Sequence, residues 1–91
     1  MNHLHYEVDA KAGDVVQVDL DRAANVQLLD PANYEHYKRG EKFRYHDGGY
    51  VTTTPVHLTV PHDGRWHVVI DLGGGAGHVR ALAKLLAGSG V

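Results

Sequence analysis

The sequence predicts an all-β, antiparallel fold, a sandwich or small jelly-roll-like barrel of about seven to eight short strands with one short helical turn near residues 31–39. Two observations carry this. Apolar residues alternate with polar ones along most of the chain, and turn-forming residues interrupt the alternation roughly every 8–12 residues. The clearest stretch is Pro55–Leu72, PVHLTVPHDGRWHVVIDL. In it Val56, Leu58 and Val60 share one face, while Trp66, Val68, Ile70 and Leu72 share one face of the next run. The intervening Pro-His-Asp-Gly turn makes the pair read as an antiparallel hairpin.

The other elements follow in order. His3 to Val8 alternates, with Leu4, Tyr6 and Val8 on one face and His3, His5 and Glu7 on the other, as in a half-buried strand. Lys11–Asp14 forms a turn in which Gly13 can take positive φ. Val15–Leu20 points Val16, Val18 and Leu20 inward, and Asn25–Leu29 is a short third strand. Asp30-Pro31 then reads as an N-cap followed by proline at the first helical position, where its missing N–H is no loss. Tyr34 and Tyr37, three apart, pack down together, and Gly40 ends the turn.

Alternation returns from Glu41, with Phe43 and Tyr45 facing the core opposite Lys42, Arg44 and His46. Asp47-Gly48-Gly49 reads as a hairpin turn, and Tyr50–Thr54 as the returning strand. The segment from Val79 to Leu86 fits both a helix and a strand, and its Ala, Leu and Lys content favours helix. The expected core is Leu4, Tyr6, Val16, Val18, Leu20, Val26, Leu28, Val56, Leu58, Val60, Trp66, Val68 and Ile70, anchored by Trp66. Gly88, Ser89 and Gly90 are expected to fray.

At 91 residues the chain fits one domain, residues 1–91, and its 43% hydrophobic content supplies the apolar area that a folded domain needs. With no cysteine, disulfide frameworks, thiolate zinc sites and cysteine nucleophiles are excluded. The start of the chain, MNHLHYEVDAKAG, has neither a basic region nor a long apolar run, so neither a signal peptide nor a membrane span is expected and the cytoplasm is the default. The net charge of −2 argues against a nucleic-acid binder.

The opening MNHLHYE, the run AGDVVQVDLDRAANVQLLDPANYEHYKRGEKFRY and the stretch VHLTVPHDGRWHVVIDLGG together resemble a small bacterial family filed as a domain of unknown function. The resemblance covers nearly the whole chain. Its members occur alone or, in some proteins, ahead of a TIR domain, which implies a compact β domain serving as a recognition or sensing part. It brings no catalytic residues, and it favours a strand around Val79 to Leu85.

Two clusters can carry chemistry. Bases gather at Lys38, Arg39, Lys42, Arg44 and His46, interleaved by Phe43 and Tyr45, a pattern that can hold a small anion or nucleotide-like ligand. His3, His5 and Glu7 share one strand face and can ligate a divalent transition metal, provided that a neighbour such as His57, His67 or Asp71 helps the i, i+2 residues converge. The glycine run at 73–77 has neither a Walker nor a dinucleotide pattern and reads as a bend. Ser89 is the only serine, and Thr52, Thr53 and Thr54 have no evident base, so nucleophilic catalysis has little support.

The reading that follows is a non-catalytic binding, sensing or interaction module for an unidentified protein or small molecule, with no cofactor. A small histidine-dependent metalloenzyme is the alternative. Open sheet edges also permit a self-associating domain.

Overall fold

The computed structural model describes residues 3–73 and 77–87. These form β1 (Leu4–Ala10), β2 (Val15–Leu20), β3 (Ala24–Leu29), α1 (Pro31–Lys38), β4 (Asp47–Val51), β5 (Val56–Thr59), β6 (Gly64–Asp71) and β7 (Ala81–Leu86). Two antiparallel sheets face each other, one ordered β1-β6-β3-β4 and the other β5-β2-β7. This is an all-β sandwich with open edges, not a closed barrel. The helix lies on the outer face of the four-stranded sheet, where Tyr34 and Tyr37 pack on Leu29 and Val69.

The alternation of β2, β3, β5 and β6 fills the space between the sheets. Val16, Val18, Val26, Leu28, Leu58, Val68 and Ile70 are all completely buried, and so is Trp66, the largest of them. The indole N–H of Trp66 donates to the His62 carbonyl at 3.0 Å, so its one polar atom costs nothing on burial. The thirteen residues from Leu4 to Ile70 named above as the core all lie in it or pack against it. The sheets are also clasped at both edges. Tyr6 of β1 donates to the Ala81 carbonyl of β7 at 2.9 Å, and the Thr59 N–H of β5 donates to Asp47 Oδ2 of β4 at 2.9 Å.

Pairing departs from the sequence expectation in one important way. β5 and β6 are not a hairpin: β5 pairs with β2, whereas β6 lies between β1 and β3 in the opposite sheet. The alternation located both strands and their inward faces correctly, but inward faces are compatible with pairing or with facing across the sandwich. Both hydrogen-bonding edges of β6 are already occupied, so the Pro61–Asp63 segment crosses from one sheet to the other.

The segment after the helix also differs. Residues 41–45 form no strand, and Asp47-Gly48-Gly49 is the start of β4 instead of a turn. Gly48, at φ +117°, runs so close to the Val26 carbonyl of β3 that a β-carbon would collide with it. Glycine here serves close backbone approach, not chain reversal. Thr52–Thr54, expected in a strand, form the exposed crossing from β4 to β5. Phe43 joins the helix-side cluster, edge-on to Tyr37 at 5.2 Å between centroids, and Tyr45 is 46% exposed instead of entering the core.

The last described segment is strand β7, which pairs with β2 along all six of its residues. Its helix-forming composition yields to a free sheet edge, and the resemblance predicted this correctly where propensity did not. The expectations for residues 74–76 and 88–90 lie outside the described residues.

Candidate functional site on the helix-covered face

Helix α1 is placed by its own termini. The Asp30 carboxylate accepts from the Asn33 backbone N–H at 2.7 Å, Pro31 occupies the first turn, and Gly40, at φ +73°, follows the last turn. The side that this helix turns toward the sheet carries Tyr34, 7% exposed, and Tyr37, 9% exposed. Beneath them the outer face of the sheet presents His5 and Glu7 from β1 and His67, Val69 and Asp71 from β6. Register decides who meets whom: Glu7 stands opposite His67, and His5 opposite Val69.

Three groups converge there. His5 Nε2 and His67 Nδ1 are 2.7 Å apart in a hydrogen bond between two nearly parallel imidazoles, with ring planes 13° apart. Glu7 Oε1 is 3.7 Å from His67 Nδ1, and one ligating atom from each of His5, Glu7 and His67 lies within 4.8 Å of the others. The Tyr34 ring stacks on both imidazoles, at 4.2 Å from His5 and 4.5 Å from His67. Burial pushes both imidazole pKa values below the usual histidine range; the charges of His67, His3 and Lys38 lower His5 further and those of Arg65 and Lys38 lower His67, while Glu7 opposes the shift at both.

His3, expected with His5 and Glu7, lies next to His5, ring centroids 6.4 Å apart and edge-on, but is not one of the three converging groups. Its Nε2 is 3.3 Å from the Tyr34 hydroxyl and its ring meets Tyr37 edge-on. His67 takes the place in the cluster that the strand reading gave to His3. Of the other neighbours named from sequence, His57 is on the opposite sheet beside Gln17, and Asp71 is committed to a separate buried network. Alternation alone put His67 on the polar face of β6. What the sequence signalled was Val69 on that same face, an apolar residue that needs a cover and implies that something packs over it.

The five basic candidates do not form one site. Lys38 pairs with Glu35 at 2.8 Å and sits 4.8 Å from the Tyr34 ring centroid. Arg39 pairs with Glu41 at 3.9 Å. His46 lies 3.6 Å from Asp30 and edge-on to Trp66. Lys42 and Arg44 stay together, in an open groove of about 670 Å³ that is lined also by Asn33, His36, Gly40, Glu41 and Phe43. The chain that carries them has no regular structure, yet it is pinned: the Glu41 N–H donates to the His36 carbonyl at 3.0 Å, and the Arg44 N–H to Asn33 Oδ1 at 2.8 Å.

The fold defines a small antiparallel β-sandwich domain with a helix on one face and polar clusters beside that helix. Residues 1–88 match the family described as Domain of unknown function (DUF1883), and the chain belongs to that family. No curated protein and no solved structure matches it. Among the described residues no helix is long and apolar enough to cross a membrane.

Proposed function

We propose that this domain is a non-catalytic binding module that takes a small anion, a carboxylate or a phosphate, in the groove between α1 and residues 40–44. The observation that supports this reading is the pinned pair Lys42 and Arg44. Neither is in an ion pair with an acidic side chain among the described residues, and although the same holds for Lys11, Arg22, Arg80 and Lys84, it is Lys42 and Arg44 that line the groove together. Arg44 presents a planar fork suited to two oxygens, Lys42 adds a compact charge, and Asn33 and His36 offer further polar contact. Phe43, placed between the two cations, supplies an apolar surface for the body of the ligand.

The groove's one carboxylate among the described lining residues is Glu41, and it is held by His36 at 2.7 Å and by Arg39. With that group engaged, binding accounts for the site better than acid-base chemistry does. A role as the recognition or sensing part of a bacterial cytoplasmic protein, ahead of a TIR domain in some of them, accords with a site of this kind.

The test is thermal unfolding with inorganic phosphate and with succinate. A ligand that prefers the native state at a concentration 100 times its Kd stabilises by about 2.7 kcal/mol. A saturable rise that disappears in the Lys42→Gln, Arg44→Gln double variant supports the groove. A flat response, or a rise that the double variant keeps, overturns it.

A further inference from the structure

We propose that His5, Glu7 and His67 form a binding site for one divalent transition-metal ion, of the zinc, cobalt or nickel kind, at the junction of β1, β6 and α1. This site is separate from the anion groove and does not depend on it. The inference rests on donor chemistry, on spacing and on what holds each donor in place.

Two imidazole nitrogens and one carboxylate oxygen form a set that suits borderline transition metals, whereas calcium and magnesium favour all-oxygen sets. Bonds of about 2.0–2.1 Å at tetrahedral angles put two donors of one zinc ion roughly 3.3 Å apart. Two of the three separations bracket that value, 2.7 Å between His5 Nε2 and His67 Nδ1 and 3.7 Å between His67 Nδ1 and Glu7 Oε1, and the third, from His5 to Glu7, is at most 4.8 Å. The two imidazoles meet head-on, with centroids 5.0 Å apart, so an ion that displaces the proton they share requires the rings to part slightly and to swing within their planes until both nitrogens point at it. His67 is buried, while His5 and Glu7 are exposed, so three protein donors would leave outer positions open to water or a small ligand.

The supports resemble those that orient metal ligands. Arg65 Nη1 donates to Glu7 Oε2 at 3.2 Å, which holds one carboxylate oxygen and leaves Oε1 turned to the imidazoles. Tyr34 lies over both imidazole rings and fixes their planes. The backbone beneath is the paired β1–β6 ladder, in which Glu7 and His67 are direct partners, so the donors stand on rigid elements instead of a loop.

The experiment is calorimetric titration of the whole chain with Zn2+, Co2+ and Ni2+, beside Mg2+ and Ca2+, with the Co2+ complex followed also by its visible absorption. The expected result is one ion per chain for the transition metals, none for Mg2+ or Ca2+, and absorption bands of a four- or five-coordinate cobalt centre. His5→Gln and Glu7→Gln, both exposed and expected to fold, should each weaken binding at least tenfold. Arg65→Gln removes no donor but frees the Glu7 oxygen that Arg65 holds, and it should weaken binding about tenfold while keeping the same cobalt bands. His57→Gln, on the other sheet, should change nothing. Failure of the wild-type chain to bind, or binding that survives His5→Gln and Glu7→Gln unchanged, overturns the site. Phosphate binding in the groove would be untouched by either result.

Discussion

The Tyr37 hydroxyl donates to Oδ2 of Asp71 at 2.6 Å, joining helix α1 to the last residue of β6. The other oxygen, Oδ1, accepts from the Asn25 side chain at 2.9 Å and from the Gly73 N–H at 2.8 Å. A carboxylate only 5% exposed thus has three donors, which is the condition under which a buried charge is tolerated. This network fastens the helix over the sheet and so positions Tyr34 above His5 and His67.

Removing one donor should loosen that attachment. Tyr37→Phe is expected to cost about 1.5–3 kcal/mol, the range for hydrogen bonds to charged groups. Urea unfolding of the two proteins measures it, and equal midpoints would show that the bond contributes nothing.

The same network sets an acid limit. Burial tends to raise the Asp71 pKa, but the hydrogen bonds from Tyr37, Asn25 and Gly73 outweigh it, and with the nearby His3 charge they hold it below the usual carboxylate range. The Tyr37 hydroxyl is shifted the opposite way, upward, by burial and by the Asp71 charge, with a further contribution from Tyr34, so it remains a donor. A depressed folded-state pKa means that the stabilising contribution is complete above the unfolded value, about 3.9, and is lost as pH falls through the folded value. Stability should therefore drop steeply below about pH 4, and the drop should be shallower in Asp71→Asn, as read from urea midpoints across pH.

Much of this was legible in the sequence. Period-two alternation identified the inward residues of β1, β2, β3, β5 and β6, and Asp30-Pro31 with Gly40 marked the helix. Pairing was not legible, because Val56–Thr59 and Gly64–Asp71 offer the same inward faces whether they are neighbours or stand in opposite sheets. The His5, Glu7 and His67 cluster depends on the pairing of β1 with β6, and so His67 could be named only as one of three neighbours able to complete the β1 half. Nor could local composition show that β7 completes an edge beside β2, since edge vacancy is a property of the assembled sheet.

Trp66 is expected to be the costliest core position. Trp66→Ala should destabilise by about 3–5 kcal/mol, since the indole fills the space between the sheets and no neighbouring backbone can collapse into it fully. A loss under 1 kcal/mol in chemical denaturation would contradict the packing described.

Gly48 gives a backbone counterpart. Gly48→Ala must move β4 away from the Val26 carbonyl, so it should destabilise by more than the roughly 1 kcal/mol spanned by ordinary strand propensities. Gly13→Ala, at φ +88° with nothing within 4 Å of a β-carbon, should cost less, since it strains only its own turn. Hydrogen exchange would place the Gly48→Ala effect in the β3–β4 ladder.

The helix cap is a separate contribution. Asp30→Ala removes the acceptor of the Asn33 N–H and should cost about 1 kcal/mol, measured by thermal unfolding. Because Asn33 also anchors Arg44, the same variant should weaken phosphate binding without removing either cation.

The central claim is that this domain binds a small anion between α1 and residues 40–44. Mapping amide shifts by nuclear magnetic resonance during titration with inorganic phosphate at constant ionic strength tests it most directly. Saturable shifts concentrated at Asn33, His36 and Gly40–Arg44 are the expected result. Shifts that never saturate, or that centre on another face of the sandwich, would contradict it.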